Sequence, residues 1–361
     1  MYVESVELDH FRNYADLKIG LHTGTNLFFG DNAQGKTNIL EAVYLCGTTK
    51  SHRTLQDRDM IQFGEEQAHI RIIVQKAHIS YKIDMHLRRD KSKAIAISGI
   101  PIRKARELLG LVNFVFFSPE DLNIIKNGPA QRRRFLDAEL CQLDSIYLSD
   151  LTDYNKIVSQ RNKLLKDLSF NPSLLSTLDV WDEQLVKYGK KIIEKRADFM
   201  QELSETARQI HSELTGGTED FHIVYEPDCA ADELADKLSA ARERDCRHKT
   251  TSAGPHRDDF CVSADNIDLR KFGSQGQQRT AALSLKLSEI KILEKKIKDT
   301  PILLLDDVLS ELDSRRQEYL LDSIHDIQTL ITCTGLEDFA GHRFRLDRIY
   351  HVSRGTVTIS Q

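Results

Sequence analysis

None of the six cysteines (Cys46, Cys141, Cys229, Cys246, Cys261 and Cys333) is in Cys-x-x-Cys spacing with another. That argues against a zinc site or a disulfide framework and for reduced intracellular thiols. No apolar run approaches the roughly 20 residues that a membrane-spanning helix needs, so no membrane partner is expected. An apolar signal core is missing too, because Met1-Tyr2-Val3-Glu4-Ser5-Val6-Glu7-Leu8 alternates as a strand does. A cytoplasmic location is the expectation. Positive charge is not in excess: 50 Lys and Arg stand against 55 Asp and Glu, a net charge of −5. A uniformly basic nucleic-acid binder is thereby excluded, and any DNA contact has to come from local patches. With 40% hydrophobic and 29% charged residues in 361, the chain has ordinary globular make-up and length enough for two domains.

What the sequence does have is Gly30-Asp31-Asn32-Ala33-Gln34-Gly35-Lys36-Thr37, a Gly-x-x-x-x-Gly-Lys-Thr phosphate loop. The apolar run Leu27-Phe28-Phe29 precedes it and the helical Asn38-Ile39-Leu40-Glu41-Ala42-Val43 follows, which is the strand, loop and helix context the motif requires. Gly30 and Gly35 let successive backbone N–H groups converge on phosphate oxygens, and the following helix adds its positive end. Lys36 is assigned to the β- and γ-phosphates, and the Thr37 hydroxyl to Mg²⁺.

Around this loop the pattern is mixed. Residues 2–9 and 15–21 read as strands, with Arg12 exposed in the connection between them. Lys50 and Arg53 lie in a polar, basic loop after the phosphate-loop helix and are candidates for DNA contact. Residues 68–75 and 79–87 alternate as a hairpin with a basic turn, and Phe114–Phe117 reads as a buried strand. Ser118-Pro119-Glu120-Asp121 carries helix-start signals. From Gly128-Pro129 the spacing turns helical as far as Phe170, breaks at Asn171-Pro172, and continues to Gly216-Gly217. Two unbroken segments of roughly 40 residues would make a helical hairpin about 60 Å long. Arg132, Arg133 and Arg134 stand at its first turn, where positive charge opposes the helix dipole. Glu120, Asp121, Asp137 or a nucleic-acid phosphate would compensate them. The turn Thr250–Asp259, dense in ionisable groups, reads as a functional loop.

Ile302-Leu303-Leu304-Leu305-Asp306-Asp307 is an apolar strand ending in two acids, expected to run beside the phosphate-loop strand. Asp306 is assigned to Mg²⁺, and Asp307 to orienting or deprotonating the attacking water. Lys36 and Asp307 are thus the catalytic candidates. Ser274-Gln275-Gly276-Gln277 opens a long helical segment and forms a second anion site. One nucleoside triphosphate does not need two such sites in one subunit, so Ser274 and Gly276 are expected to meet the nucleotide held by another copy of the chain.

These motifs, with Val308-Leu309-Ser310-Glu311-Leu312-Asp313, resemble an ABC-type ATPase head. Within that superfamily the chain is similar to the RecF family of bacterial recombination mediators, on Ser118–Leu122, Arg132–Asp137 and Gly254–Asp258 as well. The resemblance implies an α/β fold: an ABC-type P-loop ATPase head (1–128 and 246–361) with an inserted helical-hairpin arm (129–245). It implies ATP and Mg²⁺ as cofactors and a head-to-tail homodimer that sandwiches two nucleotides between Lys36 of one subunit and the signature Ser274, Gln275, Gly276 and Gln277 of the other. Ser310 to Asp313 match the loop that communicates across the dimer. It further implies binding to DNA at gaps and single-strand/double-strand junctions, with RecR and RecO proteins as partners, in recombinational repair, replication and the SOS response to DNA damage. Two departures matter: Asp307 stands where many ABC ATPases have Glu, and Cys333-Thr334 where transporters have a switch His. Both imply slow hydrolysis. A transporter subunit and an SMC-like chromosome protein are alternatives, weakened respectively by the arm insert and by its shortness. A nucleotide-gated scaffold is the third, left partly open by the same two departures, and a dimer strengthened by ATP without DNA affinity would favour it.

Overall fold

In the computed structural model, which describes residues 1–54, 56–324, 326–335 and 345–360, the alternating N-terminus is strand β1 (Tyr2–Phe11). Val3 and Val6 are both buried although three residues apart, because a bulge between Val3 and Ser5 shifts the register against a neighbouring strand. Next come β2 (Tyr14–Gly20), β3 (Thr25–Phe29), helix α1 (Lys36–Thr48), β4 (Gln67–Lys76), β5 (Ile79–Arg88), β6 (Ala94–Ile97), β7 (Ile100–Ile102) and β8 (Phe114–Phe117). A helical stretch holds α2 (Leu122–Lys126), α3 (Pro129–Leu143), α4 (Ser145–Asp167) and α5 (Leu178–Thr215). The chain continues through β9 (Phe221–Glu226), α6 (Leu234–His248), β10 (Asp259–Ala264), β11 (Ile267–Asp268), α7 (Leu269–Phe272) and α8 (Gln275–Ile297). It ends with β12 (Ile302–Asp306), α9 (Ser314–Ser323), β13 (Thr329–Cys333), β14 (Arg348–Ser353) and β15 (Thr356–Ile359).

Two compact units result: Met1–Asp121 with Glu289–Gln361, and Leu122–Ser288. The second unit thus extends from the helical insert to take in the signature turn. In the first unit, one sheet has the order β15-β14-β3-β13-β12-β8, all parallel except β15. Strands buried on both faces explain the unbroken apolar runs of β8 and β12. The expected neighbourhood of β3 and β12 is corrected here: β13 lies between them. The second sheet, β2-β1-β4-β5-β6-β7, is antiparallel. Helix α1 packs against β4 and β5 of that sheet and against β8, β12 and β13 of the other, with Ile39, Leu40, Ala42, Val43 and Leu45 fully buried. Gly47 is obligatory in this sandwich, since a Cβ there would sit 2.1 Å from the Phe114 ring.

In the second unit α4 and α5 form the hairpin. The first of the two expected helical segments is broken: Asp144 leaves the helix with extended backbone, and its carboxylate accepts the N–H groups of Ile146 and Tyr147 to start α4. The second is one helix of 38 residues, about 57 Å long. Beneath it, β11-β10-β9 form a small antiparallel sheet. Among the described residues no helix is long and apolar enough to cross a membrane.

Candidate nucleotide site and signature turn

At the C-terminal end of β3 the chain turns into the glycine loop. Gly30 has φ +151° and Gly35 φ +116°; a Cβ would meet Val352 O at 2.2 Å at the first and the Asn13 amide at 2.5 Å at the second. Glycine is required at both for close backbone approach as well as for conformation. The loop is held from three sides. Asn13 Nδ2 donates to Gln34 O (2.8 Å), Tyr14 Oη to Gly35 O (3.0 Å), and the Arg354 backbone N–H to Gln34 Oε1 (2.7 Å). Asp31, Asn32 and Ala33 remain exposed.

Lys36 folds back into the loop, and its Nζ donates to Gly30 O (2.5 Å) and Asp31 O (2.8 Å). Burial lowers the pKa of this amine, against the opposing pull of Asp307, Cys333, Asp306 and Asp31. Thr37 Oγ1 donates to Asp306 Oδ1 at 2.7 Å. The two residues assigned to Mg²⁺ are therefore in direct contact although they come from different strand ends. Thr332 Oγ1 donates to the same oxygen (2.7 Å) and accepts the Asp307 N–H (3.0 Å). Thr332 belongs to no motif in the sequence; it stands directly before Cys333-Thr334, where transporters have a switch His. Asp307 has φ +54°, in the left-handed region that Asp tolerates better than most side chains.

Two arginines sit differently from expectation. Arg12 is not exposed: its guanidinium makes a fork with the buried Glu41 carboxylate (2.6 and 2.8 Å) and donates to Asp59 O. Glu41 also accepts Ser51 Oγ at 2.5 Å. Burial alone would raise the Glu41 pKa, but the bonds from Arg12 and Ser51 hold it below the usual glutamate value. Arg53, a DNA candidate, is turned onto α1, 2.9 Å from Asn38 Oδ1 and 3.8 Å from Glu41. Lys50 is exposed. Beside them the His52 ring packs tilted against Phe116 (ring centroids 4.1 Å apart), and burial brings its pKa down to about 4, so it is neutral at physiological pH.

The signature turn lies in the other unit. Ser274, Gln275 and Gly276 are exposed at the start of α8. The Ser274 N–H donates to Gln277 Oε1 (3.0 Å) and the Gln277 N–H to Ser274 Oγ (3.2 Å), a reciprocal capping box. Ser310 Oγ donates to Asp307 O, and Asp313 caps α9 by accepting the Arg316 N–H.

The arginine triplet separates. Arg132 is buried and forms a fork with Asp259 (2.5 and 2.9 Å), which is the acidic compensation its helix position demands. Arg133 donates to Asp258 O (2.7 Å), and Arg134 is exposed. Arg132 as a DNA contact is thereby corrected: its charge is spent inside the fold. The polar turn Thr250–Asp259 is likewise structural in this geometry. Asp258 is fully buried against Arg196 (2.8 Å) and Tyr225 Oη (2.5 Å), and His256 bridges Tyr154 Oη and Thr251 O.

A glycine loop, a Thr–Asp contact at the ends of parallel strands, and a helix-capping signature define an ABC-type ATPase head. Residues 2–358 match the RecF/RecN/SMC N terminal domain, so the chain belongs to that family. Within it the chain is a member of the RecF family. It is 57% identical to the DNA replication and repair protein RecF of Agathobacter rectalis and 56% identical to that of Lachnospira eligens, in each case over 99% of both chains. A solved structure of the recombination mediator protein RecF with ATP, from the RecFOR pathway, superposes with a TM-score of 0.93 at 35% identity, covering 100% of this chain and 98% of that one. An Smc head bound to the C-winged helix domain of ScpA, at 17% identity and a TM-score of 0.58, shares the fold.

Proposed function

We propose that this chain is an ATP-operated DNA clamp of recombinational repair, acting as a head-to-tail homodimer. The observation that carries the reading is the Thr37–Asp306 contact beside Lys36. A hydroxyl and a carboxylate at hydrogen-bond distance form an oxygen pair suited to Mg²⁺, which supplies neutralisation of phosphate charge when bound. Lys36 exchanges its two loop carbonyls for β- and γ-phosphate oxygens, and Gly30 to Gly35 offer their N–H groups. The exposed Ser274, Gln275 and Gly276, with Gln277 behind them, reach the γ-phosphate held by a second copy, and Ser310 and Asp313 line the same junction. Asp307 orients the attacking water. Its carboxylate is one methylene shorter than the usual Glu and Cys333-Thr334 stands where transporters have a switch His, so hydrolysis is slow and ATP serves mainly to close the dimer. Single-strand/double-strand junctions and gaps are the DNA sites and RecR and RecO the protein partners, with Lys50 and Arg134 as DNA contacts.

Analytical ultracentrifugation without nucleotide, with ADP and with ATP tests this on the wild type, Lys36→Met and Ser274→Arg. ATP alone is expected to produce a dimer, and either substitution to abolish it. A chain that binds ATP and stays monomeric would remove the trans role of Ser274 and leave a nucleotide-binding head without a clamp.

A further inference from the structure

We infer that Glu219 and His211 are positioning residues of the signature turn, holding the Gln277 amide in the orientation that presents the Ser274 hydroxyl. The inference rests on the reading of Ser274 as a phosphate contact in trans.

The Gln277 side chain bridges two groups with opposite demands. Its Oε1 accepts the Ser274 N–H (3.0 Å), and its Nε2 donates to Glu219 Oε1 (3.2 Å). The two ends of an amide have nearly the same shape, so sterics do not oppose a half-turn; the hydrogen-bond partners decide. A carboxylate only accepts. A flipped amide would set oxygen against Glu219 and an NH₂ group against the Ser274 N–H, breaking half of the capping box. In the orientation found, Ser274 Oγ accepts the Gln277 N–H and its own proton is left to donate to an anion.

Glu219 is itself anchored. It lies just after α5, past Gly216 and Gly217, which are both in the left-handed region. Its second oxygen meets His211 Nε2 at 2.9 Å. His211 is fully buried on α5, stacked on Phe221 with ring centroids 4.2 Å apart, and its Nδ1 is 3.0 Å from Ser284 Oγ on α8. An imidazole fixed at both nitrogens thus clamps the carboxylate between α5 and the helix that the signature opens. The exposed anion site stands on a buried, directional support.

The test measures ATP-driven self-association together with the thermal midpoint and the affinity of the dilute monomer for a fluorescent ATP analogue. Glu219→Ala is expected to weaken association about tenfold while leaving monomer affinity unchanged, and to add nothing in a Gln277→Ala background. The exposed turn also permits an exchange of roles. Gln277→Glu faces carboxylate with carboxylate and is expected to weaken association; adding Glu219→Gln restores one donor between them and returns association to near the wild-type value. Equal association of wild type and Glu219→Ala, additive losses in the Gln277→Ala background, or failure of the exchanged pair to recover would each overturn the inference. A wild type that stays monomeric in ATP overturns the trans reading and this inference with it.

Discussion

Asp306 Oδ1 takes two hydroxyl protons, from Thr37 and from Thr332. Asp306→Asn keeps an oxygen for those bonds and removes the charge. Its expected effect is therefore on the metal and not on the fold: thermal stability within about 1 kcal/mol of wild type, and an ATP affinity that no longer improves when Mg²⁺ replaces EDTA. Nucleotide titrations with and without Mg²⁺ check this. Glu41 behaves oppositely, because among the described residues it is the one carboxylate within salt-bridge reach of Arg12. Glu41→Gln is expected to cost about 3 kcal/mol in urea unfolding at pH 7. The sign with pH follows from the lowered Glu41 pKa. The ionised pair stabilises fully above the ordinary glutamate value, and that contribution is lost as pH falls through the lower folded value. The gap between wild type and Glu41→Gln should close on acidification; a gap constant down to pH 3 would mean the pair contributes through packing alone.

At the scale of elements, α3 separates charge that folds the chain from charge at its surface. Arg132→Ala is expected to destabilise by about 3 kcal/mol, since it strands Asp259 in a partly buried position. Arg134→Ala is expected to leave stability within about 0.5 kcal/mol and to reduce DNA affinity instead. Urea unfolding and fluorescence anisotropy on a gapped duplex distinguish the two. This distinction was not legible in the sequence. Three consecutive arginines look alike until the chain brings Asp259, 127 positions away, under one of them. Local signals were legible: the period of β4 and β5, the glycine loop, the proline start of α3, and the acids ending β12. Strand order was not, because placing β13 between β3 and β12 depends on crossovers that leave no mark in any one segment. Gly47 is the same kind of silence, an ordinary small residue whose necessity appears only when Phe114 arrives against it.

For the whole molecule the governing quantity is the net charge of −5. Two such chains repel at long range, and each repels DNA except at its cationic patches. Added salt screens the first repulsion, but it also removes the counterion-release gain of phosphate contacts. The two activities of the proposed clamp should therefore respond to salt in opposite directions. Between 50 and 300 mM salt the ATP-bound dimer is expected to hold or tighten slightly, while affinity for a gapped duplex falls several-fold or more. Sedimentation with ATP and anisotropy with labelled DNA, run across one salt series, test the pair together. A dimer that dissociates with salt as steeply as the DNA complex would mean that opposite-charge contacts, and not the shared nucleotide, hold the protomers together. The clamp reading requires the nucleotide to be the main source of that affinity.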